Sequence, residues 1–193
     1  MAGRGLRTAL LAAAVWLLGW LDQVDEWIGR AVAWAALGMV VVTFAVVVLR
    51  YLFGVGWIAL QEVVIYLHAL LFMAAASYTL RHQGHVRVDL FYRRFSPRLQ
   101  AWVELFGTLL LLLPMSIFIL WISWDYVAAS WALREGSREA GGVPLLYLLK
   151  SLIPLMALLL LLQGVAALLR VLLVLLRERH QLYAEAPPPG GEI

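Results

Sequence analysis

Long runs of apolar residues recur along the chain, separated by short segments in which arginine, glycine and proline collect. The first clear run extends from about Trp27 to Leu49; it is rich in valine, and Arg30, near one end, is its only strongly polar member. The second covers about Trp57 to Leu80, the third about Leu99 to Trp124, and the fourth about Leu145 to Leu176. A helix needs about 20 apolar residues to cross a hydrocarbon core of about 30 Å, so each run predicts one transmembrane helix. Only Phe53-Gly54-Val55-Gly56 separates the first run from the second, which makes them an antiparallel hairpin. Ser96-Pro97 offers a capping hydroxyl followed by proline in the first turn, where its missing N–H costs nothing, and Gly141-Gly142-Val143-Pro144 leads into the last run. Pro114 and Pro154 each remove a backbone hydrogen bond and predict bends in the third and fourth helices.

The residues outside these runs refine the picture. Leu6 to Leu21 is apolar and follows Arg4 and Arg7, but acids rather than a small-residue cleavage site come after it: Asp22, Asp25 and Glu26. At about sixteen residues it is short for a span and predicts an interfacial amphipathic helix anchored by Trp16 and Trp20. The expected fold is therefore an all-α membrane protein, with four transmembrane helices in a bundle plus an N-terminal interfacial helix. Residues 1–26 form the N-terminal segment, 27–176 the membrane domain, and 177–193 a partly disordered tail containing Pro187 to Pro189.

Composition agrees with this class. The 193 residues are 64% hydrophobic and only 14% charged, with a mean hydropathy of +0.87, too little polar surface for a water-soluble domain. The net charge of +3 is arginine beside apolar runs, a topology signal rather than a nucleic-acid surface. Between Arg81 and Arg98 five arginines face one acid, Asp89, whereas Asp125 to Gly142 holds Arg134 and Arg138 against three acids. The first connection is thus cytoplasmic, and both termini with it. With no cysteine, disulfides and thiolate chemistry are excluded.

Polar groups at membrane depth are few. Glu62 and His68 lie in the second run, Glu104 in the third, and Lys150 and Gln163 in the fourth. A lone ionisable group near an interface more often reaches the headgroups or pairs with a neighbouring helix than lines a pathway, and Glu62 with Lys150 is the expected pair. His68 and Gln163 suit helix-to-helix or subunit hydrogen bonds. His68 is also the only histidine inside a run, so a bis-histidine haem site cannot be built from this chain, and no cofactor or enzymatic function is expected. In His85-Val86-Arg87-Val88-Asp89 the polar residues alternate with valine, so an extended stretch would present His85, Arg87 and Asp89 on one face. Glu135-Gly136-Ser137-Arg138-Glu139 projects mixed charges from the opposite connection, where a soluble partner could dock.

His85 to Asp89 after Tyr78-Thr79-Leu80 resembles the small membrane subunit, DctQ-type, of tripartite ATP-independent periplasmic (TRAP) transporters. The matching pieces also include Arg50-Tyr51-Leu52-Phe53, Trp57 with Gln61-Glu62, Glu135 to Glu139 leading into Gly141-Gly142-Val143-Pro144, Leu149-Lys150, Pro154 and Gln163-Gly164, together about residues 27 to 170. Where many relatives carry two glutamates at the start of the second run, this chain has Gln61-Glu62. The resemblance implies a bacterial inner-membrane scaffold that braces a large DctM-type subunit. That subunit moves by an elevator motion and takes up an organic acid or related solute, coupled to an ion gradient and delivered by a periplasmic binding protein. It makes Arg50, Trp57, Glu62, His68, His85, Arg87, Asp89, Glu104, Lys150 and Gln163 interface or structural candidates, with membrane lipids as further neighbours. Glu135, Ser137, Arg138 and Glu139 become candidates for periplasmic docking. Two other roles stay open on the residues themselves: a membrane anchor for a redox complex, and a small transporter that forms its pathway by oligomerising.

Overall fold

The structure is a computed structural model; it describes residues 2–82, 84, 92 and 94–185, with side chains from residue 11 to residue 175 of that range. It is all-helical, and four of its helical stretches are long and apolar enough to cross a membrane: Leu11–Leu52, Ile58–Arg81, Pro97–Ala132 and Leu146–Leu175. We number the helices α1 (Ala2–Leu52), α2 (Ile58–Ala74), α3 (Ala76–Arg81), α4 (Pro97–Gly107), α5 (Leu113–Ala132) and α6 (Leu146–Glu185). The connections 53–57 and 133–145 lie at one end of the bundle, here named the Lys150 end. The end of α3 and the start of α4 lie at the other, the Arg81 end.

Helix α1 differs from the expected division into an interfacial helix and a span. It is one helix of 51 residues, roughly 76 Å at 1.5 Å per residue, with no break at the acids after Leu21. No proline interrupts the segment, and Glu26 pairs with Arg30 one turn on at 2.8 Å, which favours helix there. The buried stripe of α1 continues through the acidic stretch, with Leu21, Asp25 and Ala35 all below a tenth exposed.

The second span has a break at Ala75 between α2 and α3. The Thr79 hydroxyl donates to the Ala75 carbonyl (2.9 Å) and holds the turn. The Ser96 cap forms as expected, its hydroxyl accepting from the Leu99 N–H at 3.3 Å with proline in the first turn. Pro114 acts through a local widening: Thr108–Leu112 form a π-helical turn closed by the Leu113 N–H on the Thr108 carbonyl. The proline ring excludes the carbonyl four residues back, and one wide turn relieves the clash without ending the helix. Helix α6 continues without a break through Pro154. Helix α5 continues to Ala132, well past the expected boundary near Trp124.

Helix α6 is the hub on which α1, α2, α3, α4 and α5 all pack. Its innermost positions are small; Ala157 and Ala166 are wholly buried. Helix α5 contributes Ser116, Ser123 and Ser130, one every seven residues along its buried side, and such small-residue seams let helix backbones approach where lipid supplies no hydrophobic drive. The Ser116 hydroxyl donates to its own chain at the Leu112 carbonyl, 2.7 Å away. Gly164 is required at the tightest point, because a Cβ there would lie 2.7 Å from Leu113 Cδ2 and 3.3 Å from Leu112 Cδ2. Large apolar side chains point outward instead, Trp34, Phe44, Phe72, Trp121 and Trp124 among them.

Candidate functional site

Polar side chains gather at the two ends of the bundle and tie helices together there. At the Lys150 end, the 133–145 connection is a folded structure in its own right. Arg134 (φ 46°) and Gly141 (φ 80°) take left-handed backbone, which glycine adopts freely and other residues seldom do. Between them the Ser137 N–H reaches the Val143 carbonyl (3.1 Å) and the Gly142 N–H the Glu139 carbonyl (3.0 Å), closing the loop on itself.

Glu62 of α2 fastens that loop. One carboxylate oxygen accepts from the Ser137 hydroxyl, the other from the Val143 N–H at 2.6 Å. Gly142 sits so close that any side chain would strike Ser137 and Glu62. The expected Glu62–Lys150 pair does not form: Lys150 binds Glu135 of the loop instead, and Glu62 is occupied by hydrogen-bond donors. The Lys150 ammonium also lies 4.1 Å over the Tyr126 ring of α5, a contact that helps hold it beside Glu135. Glu135 accepts further from the Ser130 hydroxyl (2.7 Å). Trp131 of α5 donates to Ser151 of α6 at 2.8 Å and meets the Tyr147 ring edge-on at 4.7 Å. The connection is thus bolted to α2, α5 and α6.

The Lys150 ammonium, and then the Ser130 hydroxyl, hold the Glu135 carboxyl below its ordinary value of 4.5. A carboxyl whose folded value is depressed contributes stability above its unfolded value and loses it as pH falls through the folded one. Protection of the amides across residues 133–145, relative to their intrinsic exchange at each pH, is therefore expected to hold from pH 7 down to about 4.5 and to fall below it. A Glu135→Gln protein should exchange fast throughout; retained acid sensitivity in that variant would point to another group.

At the Arg81 end, the residues that matter were visible in the sequence only as topology signals or as an acidic stretch. Arg81 donates to the Asp22 main-chain carbonyl (2.8 Å) and to Glu26 (3.0 Å), with Asp22 Oδ1 at 3.6 Å from its Nε. Arg170 of α6 bonds the same Asp22 oxygen. His82 presents Nε2 to Glu26 at 3.4 Å and Nδ1 to the Tyr78 carbonyl at 2.9 Å. One carboxylate of α1 therefore bridges arginines of α3 and α6. The signal that could have revealed this is the i, i+4 spacing of Asp22 and Glu26, which puts both acids on one face of an otherwise apolar helix.

The remaining candidates are scattered. Gln163 is buried (3% exposed) beside Asp25 (5% exposed), and Asp25 Oδ2 is without a hydrogen-bond partner among the described residues. His68 faces outward, its ring 5.1 Å from Phe72, and bonds no other helix among the described residues. Glu104 accepts from the Tyr92 hydroxyl at 2.7 Å. Arg50, Trp57, Arg138 and Glu139 are exposed. His85, Arg87 and Asp89 lie outside the described residues.

Among family models, the one described as "Tripartite ATP-independent periplasmic transporters, DctQ component" matches residues 39–174. No curated protein and no solved structure matches the chain. The matched stretch runs from the middle of α1 to beyond Arg170 and takes in all the later spans, the Glu62-fastened loop and both arginines of the Arg81 end. Four apolar helices joined in this way and a match over most of the length place the chain in that family: it is a DctQ-type small membrane subunit of a TRAP transporter, a multi-pass protein of the inner membrane.

Proposed function

We propose that this subunit is a rigid brace rather than a conduit. It holds a large DctM-type subunit in place while that partner carries an organic acid or related solute inward, coupled to an ion gradient and supplied by a periplasmic binding protein. The observation that carries this reading is where the charges go. Among the described residues, the ion pairs lie at the two ends, and all but the Glu26–Arg30 pair within α1 tie helix to helix or loop to helix. A pathway for a polar solute needs several ionisable or amide groups converging at bilayer depth, and apart from the buried Asp25 and Gln163 the buried polar groups between the two ends are mainly serines, with Ser116 and Ser123 bonded to their own helix. A part that must stay still while another slides benefits from such fastening at both faces.

In this reading both termini face the cytoplasm, as does the Arg81 end, and the loop fastened by Glu62 faces the periplasm. The N-terminal part of α1 then extends from the cytoplasmic end of its span. His68, Phe72 and the outward tryptophans contact the large subunit or lipid, and Glu135 to Glu139 meet the binding protein. Liposomes carrying the large subunit with and without this chain provide the test, with loaded binding protein outside and an ion gradient imposed. Uptake is expected to fall at least tenfold without the chain, and the chain alone should move nothing. Uptake by the chain alone would establish the rival reading of a self-sufficient oligomeric transporter.

A further inference from the structure

We infer that one water molecule is built into the contact between α1 and α6, held by Asp25 and Gln163 on the inner side of the Asp22–Arg170 pair. Asp25 calls for it. The residue is 5% exposed, and its carboxyl forms neither an ion pair nor a hydrogen bond among the described residues. A buried carboxyl without a donor is costly, the more so in the apolar contact of two membrane helices. Gln163, 3% exposed, is in the same position, for its amide bonds nothing among the described residues while it lines one small cavity with Asp25. The cavity continues the seam of the ion pair: one turn on from Asp22 along α1 comes Asp25, and two turns back from Arg170 along α6 comes Gln163.

Size and charge select water. The space leaves about 10 Å³ for the centres of water-sized molecules, between Leu21 and Val24 of α1 and Leu159 and Leu162 of α6, and a polar cavity of that size admits one water. Asp25 Oδ2 is sealed off, but neither Oδ1 nor the Gln163 amide is closed in this way. They do not bond each other, and two polar groups that share a space without touching are what a bridging water joins. The amide N–H donates to the water, and the water donates to Oδ1. A hard cation would collect a shell of several oxygens, whereas two side chains are offered here and both helices keep their carbonyls in unbroken ladders. Charge is also balanced already, with Asp22, Asp25 and Glu26 against Arg30, Arg81 and Arg170. A neutral ligand keeps that balance and still gives the carboxylate a donor. The site does not depend on the bracing role, because it uses only this chain's residues.

The test uses the full chain in lipid nanodiscs, with whatever subunits accompany it, and X-ray pulses that turn bound water into hydroxyl radicals where it sits. Leu21 and Leu159 line the cavity and are less than a tenth exposed. Their oxidation, read by mass spectrometry, is expected to exceed that of Val127 and Val171, which are as deeply buried but do not line it. It should fall to the level of those valines in Gln163→Leu, and in the double variant Asp25→Leu with Gln163→Leu, where both polar partners go together and no orphan remains. Asp25→Asn should keep the labelling, since its amide oxygen still accepts from the water. The melting temperature should be the same in sodium, potassium and choline chloride at one ionic strength. Parent labelling no greater than at the two valines, or labelling that Gln163→Leu leaves unchanged, overturns the assignment. So does a rise in melting temperature specific to sodium, which makes the occupant a cation. A carboxylic-acid infrared band that Asp25→Asn abolishes overturns it as well, by showing a proton on Asp25 in place of the water's donor.

Discussion

Replacing Asp22 with leucine is expected to loosen the Arg81 end by about 1–3 kcal/mol, the cost of leaving partly buried donors without their acceptor. The effect should be uneven. Arg81 keeps Glu26 at 3.0 Å and the Asp22 main-chain carbonyl at 2.8 Å, whereas Arg170, about a third exposed, loses the carboxylate that ties α6 to α1. Removing both members of the pair should therefore cost less than the sum of the single changes, because two apolar side chains leave no orphaned charge. A double-mutant cycle over Asp22→Leu and Arg170→Leu, read from unfolding in detergent, measures this. A coupling near zero would mean that the contact contributes nothing to holding the two helices.

The same pair shows why parts of this molecule are legible in its sequence and others are not. The four spans announce themselves because a bilayer imposes a length and a polarity that each run must meet unaided. The Ser96 cap and the disturbance at Pro114 are equally local, since the causes lie within one turn of the effects. Asp22 is different: its partners stand 59 and 148 positions away. Read alone, the acids after Leu21 look like the end of a helix; with Arg81 and Arg170 opposite, they are the middle of one. Glu62 was placed correctly as the acid at the start of the second span and was assigned the wrong partner. The loop register that delivers the Ser137 hydroxyl and the Val143 N–H depends on left-handed backbone at Arg134 and Gly141, which spacing does not reveal. His68 was expected to bond another helix or another subunit, and among the described residues it meets no other helix of this chain, which leaves the subunit half of that expectation. In a subunit whose family name describes a tripartite assembly, outward polarity is where sequence reasoning about one chain loses its footing.

Valine at position 164 is the substitution expected to disturb the centre of the bundle most. Alanine there already brings a carbon to 2.7 Å from Leu113 Cδ2, but that methyl is the far end of a flexible side chain and can turn aside. Valine adds two further methyls against the π-helical turn, where Leu112 stands next in line at 3.3 Å from the Cβ position, and a β-branched residue has little rotamer freedom in a helix. The seam between α5 and α6 must then open, at about 1–3 kcal/mol for overpacking a close-packed contact. The melting temperature should fall in the order glycine, alanine, valine, and Leu113→Ala should restore part of the loss in the valine background by vacating the space. If the subunit works as a brace, import by the assembled transporter should decline in the same order. The binding protein's hold on its ligand should not change, because the defect lies in the stationary part. A valine variant that melts like the parent would show that α6 is not pinned at Gly164, and import that collapses without any change in melting would place the function of this residue in something other than rigidity.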